Sequence, residues 1–182
     1  WEDSSGVAGK VEGTNFTESL LVGHSTTGTL NAAERNTGVG INAMDALTSG
    51  DQNTAIGRNA ASSITTGSDN TFVGQAAGNS TTSASENTAV GSYALKTCST
   101  SASQNTAVGF EALEIVNSGD YNIGLGWQAG DALTSGKGNV LIGANVDADS
   151  ATGDRQLKIA TYDGTTTTTW IDGDSSGNVT LN

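Results

Sequence analysis

A chain of 182 residues with 35% hydrophobic content, 5% aromatics, 25 Gly and no Pro has the length of a domain but too little apolar bulk for a wide globular core. Its 7 Lys and Arg against 19 Asp and Glu leave a net charge of −12, which excludes nucleic acid as a partner, because phosphate attraction needs clustered cations. The longest apolar runs, such as Val140–Ile142, fall far short of the ~18 residues that span a bilayer, so no membrane insertion is expected.

No charged-then-apolar leader opens the chain, and a start at Trp1 rather than Met reads as a processed product or fragment. Residues 1–18 carry no repeat and are expected to form an N-terminal junction or cap. From Ser19 the chain becomes periodic. "SLLVG" at Ser19 is a degenerate copy of a motif that returns as "NTGVG" at Asn36, "NTAIG" at Asn53, "NTFVG" at Asn70 and "NTAVG" at Asn87 and Asn105, then as "NIGLG" at Asn122 and "NVLIG" at Asn139. Between the Asn residues the steps are 17, 17, 17, 18, 17 and 17, the extra residue lying in "KTCSTSASQ". The same period explains why "DALTSG" occurs at both Asp45 and Asp131: it is one loop of two different repeats.

Read down the repeats, each slot has a chemical character. Three places after the Asn stand Val22, Val39, Ile56, Val73, Val90, Val108, Leu125 and Ile142, all aliphatic and mostly β-branched, which predicts a strand position pointing into a core. Seven places after the motif's Gly come Leu30, Leu47, Ile64, Thr81, Cys98, Val116, Leu133 and Ser150, a second predicted inward column. The Gly itself closes every copy, as a backbone with positive φ or a very close neighbour requires. Seventeen residues are too few for a strand, a helix and two loops, so the expected unit is one coil of a parallel β-solenoid, all-β, of about eight coils over residues 19–146. Stacked at ~4.8 Å, eight coils make a rod of roughly 38 Å. In such a stack Asn36, Asn53, Asn70, Asn87, Asn105, Asn122 and Asn139 form a ladder in which each amide donates to one neighbour and accepts from the other. The period is expected to fail after Val146, where "QLKIATY", "TTTTTWI" and "NVTLN" predict a small antiparallel β cap over residues 147–182.

"NTAVGSYAL", "NTAVGFEAL" and "NTAIGRNAA" resemble the repeats of bacteriophage tail fibres and are similar to the head coils of trimeric autotransporter adhesins. The resemblance implies a parallel homotrimer that binds cell-surface molecules, placed in a virion or, alternatively, on a bacterial surface, with other fibre or virion proteins as partners. It also implies a self-cleaving chaperone following a segment like "WIDGDSSGNVTLN". The period is longer than the adhesin coil of about 14 residues, which favours the fibre. For a trimer the expected axis is lined by the residues two places after the Asn: Leu21, Phe72 and Leu141 fill it, and Ala55, Ala89 and Ala107 allow close approach.

Chemistry-bearing motifs are sparse. "GDALTSGKG" at Gly130 has five residues between its glycines where a P-loop has four, and no hydroxyl follows Lys137. His24-Ser25 lacks an orienting third group, and Cys98 falls in the inward column as a small buried hydrophobe, so no catalytic residue is expected. "DGDSSGNV" matches the opening of a calcium loop through Asp172, Asp174 and Ser176, giving Ca2+ as the one candidate cofactor against a plain tight turn. The sequons at Asn15, Asn79 and Asn178 are of the kind Ser/Thr-rich chains produce by chance. Tyr93, Phe110 and Trp127 occupy the same or adjacent slots of successive coils, a strip suited to a sugar ring or to subunit packing. A Thr column at Thr37, Thr54, Thr71, Thr88 and Thr106 raises an ice-binding reading, countered by the expectation that the aliphatic residue two places on is buried. A glycan depolymerase would need two carboxylates ~5 to 9.5 Å apart in a groove, and the acids are scattered among loop slots.

Overall fold

The computed structural model describes residues 9–13, 16–23, 30–99 and 101–182. The chain is a parallel β-solenoid: all-β, with each coil of 17 or 18 residues contributing one short strand to a common sheet. In chain order the strands are β1 (Gly9–Gly13), β2 (Phe16–Val22), β3 (Ala33–Glu34), β4 (Thr37–Val39), β5 (Thr54–Ile56), β6 (Thr71–Val73) and β7 (Thr88–Val90). They continue as β8 (Thr106–Val108), β9 (Ile123–Leu125), β10 (Val140–Ile142), β11 (Leu157–Tyr162), β12 (Thr167–Gly173) and β13 (Val179–Leu181). Pairing from β2 through β4 to β11 is parallel and in register, so Thr37 faces Thr54, Thr54 faces Thr71 and Val39 faces Ile56. Both ends close with antiparallel strands, β1 on β2 at one end and β12 and β13 beyond β11 at the other.

The period outlasts Val146. Val140 pairs with Leu157 and Ile142 with Ile159, 17 residues on, so a ninth coil begins at Gln156 and β11 is at once its parallel strand and the first strand of the cap. Gln differs from Asn by one methylene and carries the same amide, which is how the ladder continues. Gln156 Nε2 donates to Asn139 Oδ1 at 3.2 Å, as Asn53 Nδ2 does to Asn36 Oδ1 at 3.1 Å and Asn122 Nδ2 to Asn105 Oδ1 at 3.0 Å. At the other end Ser19 stands in the Asn slot, and its hydroxyl accepts from the Asn36 N–H at 2.8 Å. Each Oδ1 accepts twice, from the amide and from the backbone N–H of the next coil. The second amide hydrogen crosses the same coil to a carbonyl, as from Asn53 to Gly67 O at 2.9 Å. All seven Asn are buried and satisfied, which an unpaired amide could not be without a penalty of about 1–3 kcal/mol.

The sheet faces the other way from the sequence expectation. Leu21, Ala55, Phe72, Ala89, Ala107 and Leu141 are wholly buried inside the chain's own core, while the aliphatic column of Val39, Ile56, Val90 and Val108 is about 40% exposed (39%, 42%, 38% and 40%). The second column does point inward at Leu47, Ile64, Thr81, Cys98, Val116 and Leu133, all at 0% exposure, whereas Ser150 is exposed. The physical reason lies in a further inward pair that the sequence reading missed, eight and nine places into the coil: Ala43-Met44, Ala60-Ala61, Ala94-Leu95 and Ala112-Leu113. A 17-residue coil encloses little volume, so bulk on one wall must be matched by absence on the other. Phe72 lies against Gly78, where an added Cβ would sit 2.4 Å from the ring, while Ala89 and Ala107 share coils with Leu95 and Leu113. Where both slots are Gly, at Gly124 and Gly130, Leu113 and Leu141 from neighbouring coils fill the space.

The motif's glycines make the corner after each strand. Gly40, Gly57, Gly74, Gly91, Gly109, Gly126 and Gly143 have φ between 131 and 140°, and a Cβ on Gly109 would lie 2.2 Å from Gly126 O. Less expected are left-handed residues with full side chains, such as Met44, Leu95 and Leu113 at φ 57, 46 and 50°. Their N–H groups are held by the next coil, Leu95 donating to Ala112 O and Leu113 to Ala129 O at 3.0 Å each, so stacking maintains a conformation that an isolated turn would abandon.

Candidate functional site

Two surface features follow from this frame: the corner after each glycine and the outer face of the sheet. The corner turns the next residues away from the edge of the sheet, which leaves Phe110 40% and Trp127 43% exposed. Tyr93 meets Phe110 edge-on with centroids 6.1 Å apart, and Lys96 Nζ lies 5.2 Å over the Tyr93 ring. Trp127 instead stacks on Tyr162, 5.9 Å away at 15°. The three sequence candidates therefore form parts of two aromatic pairs. Tyr162 has no place in a period that ends at Val146; counted from Gln156 it occupies the same slot as Tyr93. Around them Gln128 Nε2 donates to Glu111 Oε2 at 2.6 Å and Gln75 Nε2 to the Tyr93 hydroxyl at 3.1 Å.

On the sheet's outer face the Thr column and the aliphatic column stand side by side, because residues two apart in a strand share a face. The objection to the ice-binding reading, that the aliphatic neighbour is buried, is thereby removed: Val39, Ile56, Val90 and Val108 point outward beside Thr37, Thr54, Thr88 and Thr106. By the same token Leu21, Phe72 and Leu141 cannot line an intermolecular axis; their side chains are spent on the chain's own core.

The other candidates have structural employment. In the P-loop-like stretch, Gly130 packs inward, Lys137 pairs with Asp120 at 2.7 Å, and the N–H groups of Thr134, Ser135 and Gly136 all point to Ala151 O, leaving no cradle for a phosphate. Asp174 accepts from the Ser176 and Asn178 N–H groups and from the Asn178 amide at 2.8 to 3.0 Å, bonds that hold its carboxyl below the usual range, and Asp172 lies within β12 rather than in a loop. Among the described residues no cluster of three or more His, Cys, Asp or Glu is placed to hold a metal ion. Cys98 is buried, which pushes its thiol up to about 12, so it carries no thiolate at neutral pH. His24-Ser25 and Asn15 lie outside the described residues.

Asp131 and Asp147 are neighbouring acids on successive coils. Burial and then the neighbouring Asp147, Glu111 and Glu114 push Asp131 up to about 6, and Asp147 Oδ1 accepts from the Ala132 N–H at 3.1 Å. A pocket of about 210 Å³ lies near the cap, lined by Asp149, Ser150, Asp154, Gln156, Gly173 and Asp174, but Asp149 in it is engaged by Lys158. No family model matches the chain, and no curated protein or solved structure matches it.

Proposed function

We propose that this chain is a structural fibre and host-recognition protein, part of a phage tail fibre that attaches to glycans or proteins of a cell surface as a homotrimer; a bacterial surface adhesin is the same design in another setting. The observation that carries the reading is the unbroken amide ladder from Ser19 to Gln156, which ties every coil to the next and suits a stiff rod that presents short variable loops. The aromatic corner of exposed Phe110 and Trp127 with half-buried Tyr93 and Tyr162 is the candidate contact for a sugar ring. The test is binding of fluorescently labelled protein to a panel of intact bacteria and to a glycan array. Saturable binding to some strains, lowered by Trp127→Ala with the melting temperature intact, is expected; no binding to any strain or glycan overturns the reading.

The outward pairing of the Thr and aliphatic columns favours a second reading, a surface that orders water on ice. Thermal hysteresis by the purified chain, lost in Thr88→Tyr, would establish it in place of the first. A depolymerase draws support only from the Asp131 and Asp147 pair, and release of reducing ends from a capsular polysaccharide would be its sign.

A further inference from the structure

The two outward columns do not stop where the coils stop. Leu157 and Ile159 of β11 continue them, Ile171 and Gly173 of β12 face Ile159 and Leu157 directly, and Leu181 and Val179 of β13 face Ile171 and Gly173. Directly opposed residues share a face of a sheet. One stripe thus runs from Leu20 and Val22 in β2 to Val179 and Leu181 in β13, and none of its residues is charged although the chain carries a net −12.

The C-terminal end of this stripe has a peculiarity. In the coils the outward columns stand over a buried core. Among the described residues the β12–β13 hairpin adds no side chain to the buried core: its other face carries Asp172 and Thr180, while Val179 and Leu181 are 58% and 78% exposed. A hairpin with its apolar side turned to solvent is marginal on its own. We infer that a second copy of this chain lies parallel and in register on the stripe, and that the β12–β13 hairpin is part of that contact.

Three observations select a second copy as the occupant. Two chains of −12 repel everywhere except along an uncharged strip, and this is such a strip. Its ten steps of ~4.8 Å make it about 48 Å long, and only a partner with the same length and rise can follow every rung. At a width of about 12 Å the strip offers roughly 600 Å² per chain, approaching the ~800 Å² per partner of a standard interface. The inference rests on the fibre reading for the parallel direction of the copies and not for the face.

The test is mass in solution by light scattering, with oxidative cross-linking of single-cysteine variants made in a Cys98→Ser background. The wild type is expected at a multiple of 18.2 kDa, and Val90→Asp at 18.2 kDa with its circular dichroism unchanged, because that side chain contacts water in the free chain. Val90→Cys and Leu181→Cys are expected to give covalent dimers, and Thr66→Cys, exposed on another side of the coil, to give none. Should Val90→Asp unfold the chain, the cross-links decide alone. A monomeric wild type overturns the inference and leaves the face free for ice; an associated wild type without the Val90→Cys cross-link places the contact elsewhere. Cell binding is a separate measurement, so a monomer that still binds bacteria would sink the interface while leaving host recognition standing.

Discussion

The coils and the C-terminal hairpin use the same hydrogen-bonding rule to opposite ends. In the coils each strand is three residues long and pairs on both sides, its middle side chain is buried, and the amide ladder, the inward columns and the corner glycines repeat together. The hairpin pairs the seven-residue β12 with the three-residue β13, yet every described residue of β13 is exposed and its outer edge is unpaired by the described residues. Strand length is therefore a poor guide to where this fold is held. Enclosure is what counts, and among the described residues β13 has none.

Glycines separate the two regions most sharply. Gly109→Ala would drive a Cβ to within 2.2 Å of Gly126 O and 2.5 Å of its carbon, backbone that cannot yield without unstacking the coils. The expected loss is at least about 4 kcal/mol, read as a collapse of the melting temperature or as failure to fold. Gly177→Ala in the hairpin meets nothing within 4 Å and costs only the positive φ, about 1 kcal/mol. Equal effects at the two sites would abolish the distinction.

Much of this was legible in the sequence, and what was not has physical causes. The period and the Asn ladder could be read because stacking demands the same amide at the same place in each coil. The direction of the sheet could not be read from hydrophobicity, since both the Val39 and the Phe72 columns are apolar; it was encoded in compensation, Phe72 against Gly78 and Ala89 against Leu95. The ninth coil hid behind Gln156, and with it Tyr162 and the true partner of Trp127. Left-handed backbone at Met44, Leu95 and Leu113 leaves no residue signature, because neighbouring coils impose it.

The inward and outward columns give the next contrast. Phe72→Ala removes a fully buried ring from beside Gly78 and is expected to cost about 3–5 kcal/mol of unfolding free energy. Its sequence neighbour Val73→Ala acts on the outer face and should change the stability of the single chain by less than about 1 kcal/mol in urea unfolding. A reversed order would return Phe72 to the surface. Smaller than the Phe72→Ala loss is that of Asn87→Leu, which takes an acceptor from the Asn105 N–H and amide and a donor from Asn70, for about 1–3 kcal/mol; an unchanged midpoint would show that the ladder only decorates the stack.

The smallest effect lies where the two regions join. Asp131 and Asp147 sit on successive coils next to the start of the cap, and the Glu111 and Glu114 carboxyls add to the negative field, with Lys96 engaged by Glu114 at 2.8 Å. Burial, followed by the repulsion from Asp147, holds the Asp131 carboxyl at about 6 in the folded chain, above its ordinary 3.8. A raised carboxyl means that the folded chain binds more protons than the unfolded one between about pH 4 and 6, so stability falls as pH rises through that window and stays lowered above it. Asp131→Asn removes the charge and keeps the shape. Its melting temperature should match the wild type near pH 4, where both side chains are neutral, and exceed it at pH 7.5, by about 1 kcal/mol or less because solvent screens a site that is more exposed than buried. The difference between the two proteins cancels the titration of carboxyls remote from the pair, which makes a small effect measurable. A gap that opened at pH 4 and closed at pH 7.5 would mean that Asp131 is held by a partner as an anion, and the junction would then strengthen toward neutrality where this geometry has it weaken.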